Sequence, residues 1–284
     1  MPPSFGDKDY WDARFARDPS HFDWLLPADA LDNAITQALT FAPSDDEPHI
    51  LHIGCGTSSL SFHLRDLVKS PSQVHNVDFS AAAIDAGKAQ EATELESLRE
   101  HMRWSVADLL SFNDILALTR PGKAAGSYRV IVEKSTADAI SCAEDVSVPI
   151  PYPLTAGPGD ENKSIQGALS DTALVYPVYL LAVHMAFLVP PGGRWLALSY
   201  SSTRFSFLTS KSTEDYMMPT EGFPDPRLLW RIAGEEALDA PQAESKGGSV
   251  VKPPAVKHIL YTLVRTAVPL VLRPFRDQAP STIL

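Results

Sequence analysis

Residues 50–58 read Ile50-Leu51-His52-Ile53-Gly54-Cys55-Gly56-Thr57-Ser58, a short apolar run that ends in two glycines and is followed by hydroxyl residues. This pattern predicts a buried parallel strand that enters a tight turn and then the start of a helix. The glycines allow positive φ and a close approach of the backbone to a ligand. The N-terminus of the following helix adds unpaired N–H groups. We therefore expect a ligand to bind at this turn.

An acidic residue ends the next predicted strand. Val74-His75-Asn76-Val77-Asp78 is a second short run, and Phe79 and Ser80 follow it. A carboxylate at the tip of the second strand can accept hydrogen bonds from the hydroxyls of a ribose. Ser80 is a candidate N-cap for a helix predicted over residues 81–98. Together with the glycine turn, Asp78 predicts a site for a nucleoside-containing cofactor.

A third predicted strand, over residues 102–106, is followed by Asp108 and Leu109. The carboxylate of Asp108 would meet the adenine amino group of a nucleoside if it faces the ligand. In the alternative interpretation, Asp108 is the N-cap of a helix that begins at Leu109. The residues themselves leave both interpretations open.

The fourth predicted strand, over residues 128–132, is followed by Glu133, Lys134 and Asp138. Ligands of doubly wound parallel sheets bind outside the carboxyl ends of the strands. We therefore expect these three side chains to project into the same crevice as the glycine turn and Asp78.

Composition excludes several classes of protein. A net charge of −11 over 284 residues argues against a generic nucleic-acid binder, which would show a basic face. The two cysteines, Cys55 and Cys142, make a disulfide framework or a metal site improbable, and we interpret Cys55 as a small buried residue. The N-terminus shows no signal or transit pattern. The longest apolar stretch, over 173–189, is interrupted by a proline and a histidine, so we expect a soluble cytoplasmic protein without membrane contact.

The chain is predicted to form a single α/β domain. Five strands alternate with helices, and two late strands without a helix between them are expected to close as an antiparallel hairpin. The later elements are predicted as a loop-like insertion over 142–171, a helix over 172–189, and strands over 194–200, 228–233 and 257–265. The expected subdivision is a flap and helix at 1–48, a core at 49–265 and a tail at 266–284.

The segment before the first strand is unusually aromatic. Tyr10, Trp11 and Phe15 are followed by Phe22-Asp23-Trp24. These side chains form either a hydrophobic flap over the first helix or a cover that closes over a bound cofactor, with Tyr10 or Trp11 near its charged or planar part. The sequence alone does not choose between the two.

Several short motifs, in this order and at this spacing, resemble the class I methyltransferases that use S-adenosylmethionine. More narrowly, they resemble the methyltransferase-like branch that contains lysine methyltransferases of translation elongation factor 1A. The resemblance covers roughly residues 10–140 through its motifs, and the hairpin extends it to about residue 265. The motifs are Tyr10-Trp11-Asp12-x-Arg14-Phe15, Phe22-Asp23-Trp24, Ile53-Gly54-Cys55-Gly56-x-Ser58, Asp78-x-Ser80, Asp108-Leu109-Leu110 and Glu133-Lys134-x-Thr136-x-Asp138-Ala139-Ile140.

The resemblance implies a Rossmann-like seven-stranded sheet and the following roles in binding S-adenosylmethionine. The Gly54-Cys55-Gly56 turn would admit the methionine end, Asp78-Phe79-Ser80 would hold the ribose, and Asp108 with Leu109 would border the adenine. Glu133 and Lys134 would lie beside the transferring methyl group. Tyr10, Trp11 and Arg14 would close the pocket, with Arg14 near the cofactor carboxylate. Two departures are His52, where class I enzymes often have an acid, and Ser135, where the branch usually has glycine.

The resemblance also implies methyl transfer to a lysine of a protein substrate such as a translation factor. A lysine must lose its proton before transfer, and an acid near the methyl can orient the ammonium. Glu133 and Asp138 are the candidate catalytic residues. In the structural alternative, Glu133 pairs with Lys134 or Arg14, and Asp138 caps the helix that follows.

Three other functions compete with this one. The acceptor could be a small molecule methylated on oxygen, nitrogen or sulfur, with Tyr152, Tyr176 and Tyr179 lining its pocket. A nicotinamide-dependent dehydrogenase is disfavoured because Ser59 stands where the third glycine of G-x-G-x-x-G would fall. A non-catalytic binding protein on the same fold is disfavoured by the intact glycine turn and Asp78.

Overall fold

The computed structural model describes residues 3–20, 22–41, 47–94, 100–120, 126–157, 172–209, 221–241 and 256–273. The helices are α1 Lys8–Arg17, α2 Asp32–Thr40, α3 Leu60–Asp66, α4 Ala81–Glu94, α5 Phe112–Ala117, α6 Thr136–Ile140, α7 Pro177–Leu188 and α8 Pro226–Leu229. The strands are β1 Ile50–Ile53, β2 Val74–Asp78, β3 Arg103–Val106, β4 Val130–Lys134, β5 Val146–Pro149, β6 Leu154–Ala156, β7 Thr172–Val175, β8 Arg194–Ser199, β9 Trp230–Asp239, β10 Lys257–Arg265 and β11 Leu270–Leu272.

Seven strands form the central sheet, in the order β3-β2-β1-β4-β8-β10-β9. The pairs from β3 through β8 are parallel, whereas β10 runs antiparallel to both of its neighbours, β8 and β9. The prediction of a seven-stranded α/β sheet closed by a C-terminal antiparallel hairpin is confirmed.

Alternate side chains of the central strands point to opposite sides of the sheet, and an apolar cluster buries them on each side. Val130 and Val132 of β4 pack with α2 and α3 in one apolar cluster. Ile131 of β4 and Trp195 of β8 belong to the cluster on the other face, which includes α7. Every residue of α7 is buried, so this helix is the central element of that second layer.

The segment predicted as a loop-like insertion contains two strands. β5 pairs antiparallel with β7, and β6 pairs antiparallel with β11. The prediction of a helix over 172–189 was wrong at its start, because residues 172–175 form β7 and the helix begins only at Pro177, whose ring favours the first helical position. Residues 158–171 of the predicted insertion lie outside the described residues.

Two further boundaries differ from the expectation. The tail predicted over 266–284 contains β11, and residues 274–284 lie outside the described part of the chain. Helix α4 is described as far as Glu94, and residues 95–98 of its predicted range are not described. Within the described ranges, no helix has both the length and the apolar character needed to cross a bilayer.

Candidate functional site

A large cavity lies at the carboxyl ends of β1, β2 and β4, where the glycine turn, Asp78 and the start of α6 meet. It encloses about 1400 Å³ of empty space when its open mouth is included. This is the end of a parallel sheet at which ligands bind in doubly wound folds. Ten of the residues predicted for the site line the cavity: Trp11, Gly54, Cys55, Gly56, Asp78, Phe79, Asp108, Leu109, Lys134 and Asp138.

The glycine turn brings β1 and α6 into close contact. Gly54 has φ +57°, and a Cβ at this position would lie 2.2 Å from Oγ1 of Thr136. The Thr136 hydroxyl in turn donates a hydrogen bond to the Ile53 carbonyl oxygen at 3.0 Å. Only glycine permits this backbone conformation together with this contact. Cys55 is buried and burial raises the pKa of its thiol, which agrees with its interpretation as a small buried residue.

Asp78 joins the glycine turn to the end of β2. Its Oδ2 accepts a hydrogen bond from the backbone N–H of Gly56 at 2.9 Å, and its Oδ1 accepts one from Ser80 N–H at 2.9 Å. Burial raises the pKa of Asp78 to about 6, although these two N–H donors act against the increase. Each carboxylate oxygen has a further lone pair. The carboxylate lines the cavity and can therefore accept the two hydroxyls of a ribose.

Apolar side chains line the cavity beyond Asp78. Phe79, Ala107 and Leu109 form this wall, as an adenine ring would require. Asp108 Oδ1 accepts a hydrogen bond from Leu110 N–H at 2.9 Å. The alternative that Asp108 caps a helix at Leu109 was wrong, because α5 begins at Phe112 and its N-cap is Ser111.

His52 lies beneath the glycine turn, where class I enzymes often have an acid. Its Nδ1 is 3.1 Å from both Ser61 Oγ and Asn76 Oδ1. Burial lowers the pKa of His52 to about 4, so the imidazole is neutral at physiological pH. This position therefore contributes a hydrogen-bonded neutral ring to the cavity wall instead of a negative charge.

Aromatic side chains from the N-terminal segment cover one side of the cavity. We call Phe5, Trp11, Phe15, Phe22 and Trp24 the aromatic flap; all five line the cavity. Helix α1 packs against α4, and Trp11 and Phe15 contact Ala83 in a separate apolar cluster. The flap therefore lies on the helix after β2 and also covers the cavity. Tyr10 and Arg14 do not line the cavity; the Arg14 guanidinium lies 4.3 Å from the centre of the Phe22 ring.

The expectation that Glu133 lies beside the ligand is not met. Glu133 is completely buried and does not line the cavity. Its Oε2 accepts hydrogen bonds from Thr136 N–H at 2.6 Å and Ala137 N–H at 3.4 Å, so it caps the N-terminus of α6. The geometry follows from Ser135, whose left-handed φ of 61° turns α6 back over the end of β4. This conformation also accounts for the glycine that the resembling branch usually has at this position.

Asp138 lines the cavity, but its carboxylate is already occupied. It accepts hydrogen bonds from Ser199 Oγ at 2.5 Å, Arg204 Nε at 2.8 Å, Tyr200 N–H at 3.1 Å and Ser135 Oγ at 3.1 Å. Ser135 lies between β4 and α6, Ser199 ends β8, and Tyr200 and Arg204 follow β8. Asp138 thus fixes the start of α6 against the end of β8 and the segment that follows it.

The pairing of Lys134 also differs from both structural alternatives considered for Glu133. Lys134 Nζ lies 2.6 Å from Asp23 Oδ1 and donates to the Leu26 carbonyl oxygen at 3.1 Å. Neither Lys134 nor Arg14 forms a described ion pair with Glu133. Ser80 is buried and donates its N–H to Asp78 without lining the cavity.

Sequence reasoning missed three residues around the cavity. Tyr200 lines the mouth and is 56% exposed, Arg204 pairs with Asp138, and Asp23 pairs with Lys134. The Phe22-Asp23-Trp24 motif was a signal for Asp23, whereas Tyr200 and Arg204 carry no local pattern. The tyrosines proposed for a small-molecule pocket do not line the cavity: Tyr152, Tyr176 and Tyr179. The Tyr152 hydroxyl is instead hydrogen-bonded to Nε2 of buried His184 at 2.5 Å.

The sheet order, the antiparallel β10 and the glycine turn beside Asp78 together decide the fold. The chain has the class I methyltransferase fold. No protein-family model matches it. Curated relatives confirm the predicted resemblance, because they are themselves named as methyltransferases.

Methyltransferase srdJ of Neurospora crassa is 34% identical over 146 residues, which are 51% of this chain and 58% of that protein. EEF1A lysine methyltransferase 4 of Mus musculus is 28% identical over 213 residues, covering 72% of this chain and 68% of the mouse protein. The match to srdJ thus spans less than two thirds of that relative.

Solved methyltransferase structures superpose with modest scores. The N-methyltransferase NodS of Bradyrhizobium japonicum, in complex with S-adenosylhomocysteine, gives a TM-score of 0.47 at 14% identity and covers 90% of this chain and 98% of NodS. The geranyl diphosphate C-methyltransferase of Streptomyces coelicolor gives 0.44 at 13% identity and covers 94% of this chain and 99% of that one.

Proposed function

We propose that this chain is an S-adenosylmethionine-dependent methyltransferase whose acceptor is the side-chain amine of a protein lysine. The observation that carries the cofactor assignment is Asp78, a buried carboxylate at the tip of β2 that opens into the same cavity as the glycine turn. A ribose-binding acid and a turn that admits the backbone of a ligand are the two features a nucleoside cofactor needs. The chemistry of the lining residues fits S-adenosylmethionine.

The residues that would hold the cofactor divide into three groups. The Gly54–Gly56 turn would admit its methionine end, Asp78 would accept hydrogen bonds from the ribose, and Ala107 with Leu109 would contact the adenine. When bound, S-adenosylmethionine supplies a methyl group on a positively charged sulfur. The aromatic flap lines this region and would shield the bound cofactor from water.

The acceptor assignment is supported by the apolar walls of the cavity and by one relative. Of the acids that line the cavity, Asp138 is paired with Arg204 and Asp78 is assigned to the ribose, so the support comes from the walls and not from these charges. The apolar walls disfavour the charged ammonium and lower its pKa, which favours the neutral amine that reacts. The mouse relative, which is named as a lysine methyltransferase, matches the larger share of this chain.

The cofactor assignment is tested by calorimetric titration of the purified chain with S-adenosylhomocysteine and, separately, with NAD. We expect S-adenosylhomocysteine to bind and NAD not to bind. Asp78→Asn should weaken binding by about tenfold or more, because the amide offers one acceptor oxygen instead of two. Asp29→Asn, which changes an exposed acid outside the cavity, is the matched control and should bind as the wild type does. Absence of S-adenosylhomocysteine binding by the wild type would refute the assignment.

The acceptor assignment requires a separate experiment. The chain is incubated with a cell lysate and S-adenosylmethionine labelled in its methyl group, and the lysate is then split into protein and small-molecule fractions. Label on lysine in the protein fraction, identified after hydrolysis, is the expected result. Label confined to the small-molecule fraction would support the small-molecule alternative and contradict the lysine proposal.

A further inference from the structure

Two motifs that are far apart in the sequence meet at the edge of the cavity. Asp23 belongs to the Phe22-Asp23-Trp24 motif, and Lys134 ends β4. Lys134 Nζ lies 2.6 Å from Asp23 Oδ1, and the Lys134 side chain is only 3% exposed. The same ammonium donates to the carbonyl oxygen of Leu26 at 3.1 Å. Lys134 at the end of β4 therefore contacts the segment 22–26 at two residues, Asp23 and Leu26.

Asp23 also accepts hydrogen bonds from the two residues between the glycine turn and α3 that directly precede the helix. The hydroxyl of Ser58 donates to its Oδ1 and the hydroxyl of Ser59 donates to its Oδ2. Burial acts to raise the pKa of Asp23, but hydrogen bonds from Lys134, Ser58 and Ser59 outweigh it and lower the pKa to about 2. Asp23 is therefore ionised at physiological pH and joins three segments around one cavity mouth.

The neighbours of Asp23 make this contact relevant to the ligand. Phe22 and Trp24 both line the cavity and belong to the aromatic flap. Their rings are 5.0 Å apart, and the Trp24 ring lies 5.9 Å from that of Trp11. A displacement of Asp23 would thus be transmitted through these edge-to-face ring contacts to α1.

We propose that Asp23 is a positioning residue that holds the aromatic flap closed over the cofactor end of the cavity, through Lys134 on one side and Ser58 and Ser59 on the other. This proposal rests on the proposed function, since it takes S-adenosylmethionine as the ligand. If the Asp23 contacts are lost, the flap is closed in only a fraction of the molecules, and only that fraction binds the cofactor with full affinity. The apparent dissociation constant then rises by the inverse of that fraction.

The test compares two aspartates in similar ion pairs. Asp225 pairs with Arg227 at 2.7 Å, and its side chain is 23% exposed against 24% for Asp23. Its chain neighbours do not line the cavity, whereas Phe22 and Trp24, the neighbours of Asp23, do. Calorimetry with S-adenosylhomocysteine is expected to give about tenfold weaker binding for Asp23→Asn and wild-type binding for Asp225→Asn. Faster hydrogen–deuterium exchange in residues 8–17 and 22–26 is expected for Asp23→Asn alone, without ligand. A purely structural role would lower the unfolding temperature and leave both readouts of the folded protein unchanged.

Each outcome decides the proposal. Wild-type affinity and wild-type exchange in Asp23→Asn would overturn it, as would an equal loss of affinity in Asp225→Asn.

If Asp23→Asn does not fold, Ser59→Ala removes one hydrogen bond to Asp23 and keeps the ion pair. That variant should bind S-adenosylhomocysteine several-fold more weakly, and wild-type affinity would overturn the proposal. If the wild type binds no S-adenosylhomocysteine, the proposed function fails. Exchange without ligand would still report whether Asp23 holds the flap.

Discussion

Glu133 shows how burial and a helix end together define the state of a single side chain. Burial and the nearby charge of Asp138 raise the pKa of Glu133 to about 8, although the Thr136 and Ala137 N–H groups oppose the increase. The carboxyl is therefore largely protonated at neutral pH. In this geometry Glu133 acts as a neutral cap at the base of α6.

The pH dependence of stability tests this assignment. The pKa of Glu133 is higher in the folded chain than the usual 4.5, so unfolding releases a proton between these two values and rising pH favours unfolding. Glu133→Gln removes this dependence. From pH 5 to pH 8, the wild type should lose about 2–4 kcal/mol of unfolding free energy relative to Glu133→Gln. Urea unfolding at both pH values measures the difference. If the unfolding free energies of the wild type and Glu133→Gln change equally with pH, Glu133 is ionised in the folded chain.

At the scale of elements, the turn between β1 and α3 depends on its contact with α6. Gly54 has both a positive φ and a close neighbour in Thr136, whereas Gly192 has φ +81° and nothing within 4 Å of its would-be Cβ. Comparing alanine at the two positions separates backbone strain from a steric clash.

We expect Gly192→Ala to cost about 1 kcal/mol of unfolding free energy from backbone strain alone. Gly54→Ala should cost about 2–4 kcal/mol, since it adds a clash with the Thr136 side chain. Only Gly54→Ala should also weaken S-adenosylhomocysteine binding, because the turn must move to relieve the clash. Denaturant unfolding and calorimetry provide the two measurements. An equal loss of unfolding free energy in both variants would show that the Thr136 side chain moves aside at no measurable energetic cost.

Local sequence patterns predicted the elements that carry their own signal. The apolar run before Gly54 and the acid at the end of β2 indicated buried parallel strands and a ligand-binding edge. β5 and β7 were missed although exposed and less exposed residues alternate along both, because each has only four residues and is defined by a partner distant in sequence. The same reason applies to the Asp23–Lys134 contact. Its two residues were noted in separate motifs, but the contact between them follows only from the fold.

At the scale of the whole molecule, the two apolar clusters share the central sheet. We therefore expect the described core to unfold in one transition, and ligand binding at one edge of the sheet to stabilise all of it. S-adenosylhomocysteine at about 100 times its dissociation constant should add about 2.7 kcal/mol. For a chain of this size, that corresponds to an increase of roughly 5–10 °C in the unfolding temperature.

Differential scanning calorimetry with S-adenosylhomocysteine, and with NAD as the control ligand, measures this shift. NAD should leave the transition unchanged. Two separate transitions, of which only one responds to S-adenosylhomocysteine, would contradict a single cooperative core.

The separation of 111 residues between Asp23 and Lys134 also has a consequence for biosynthesis. The ribosome produces the aromatic segment first, but the strand end and the helix that receive it are made much later. Until α4 has left the exit tunnel, Trp11 and Phe15 lack the helix on which they finally pack, and until β4 has followed, Asp23 lacks its lysine partner. Exposed apolar surface on a nascent chain promotes aggregation and attracts chaperones. The aromatic flap is thus made before the elements that hold it in place, and its apolar side chains need protection on the nascent chain until those elements follow.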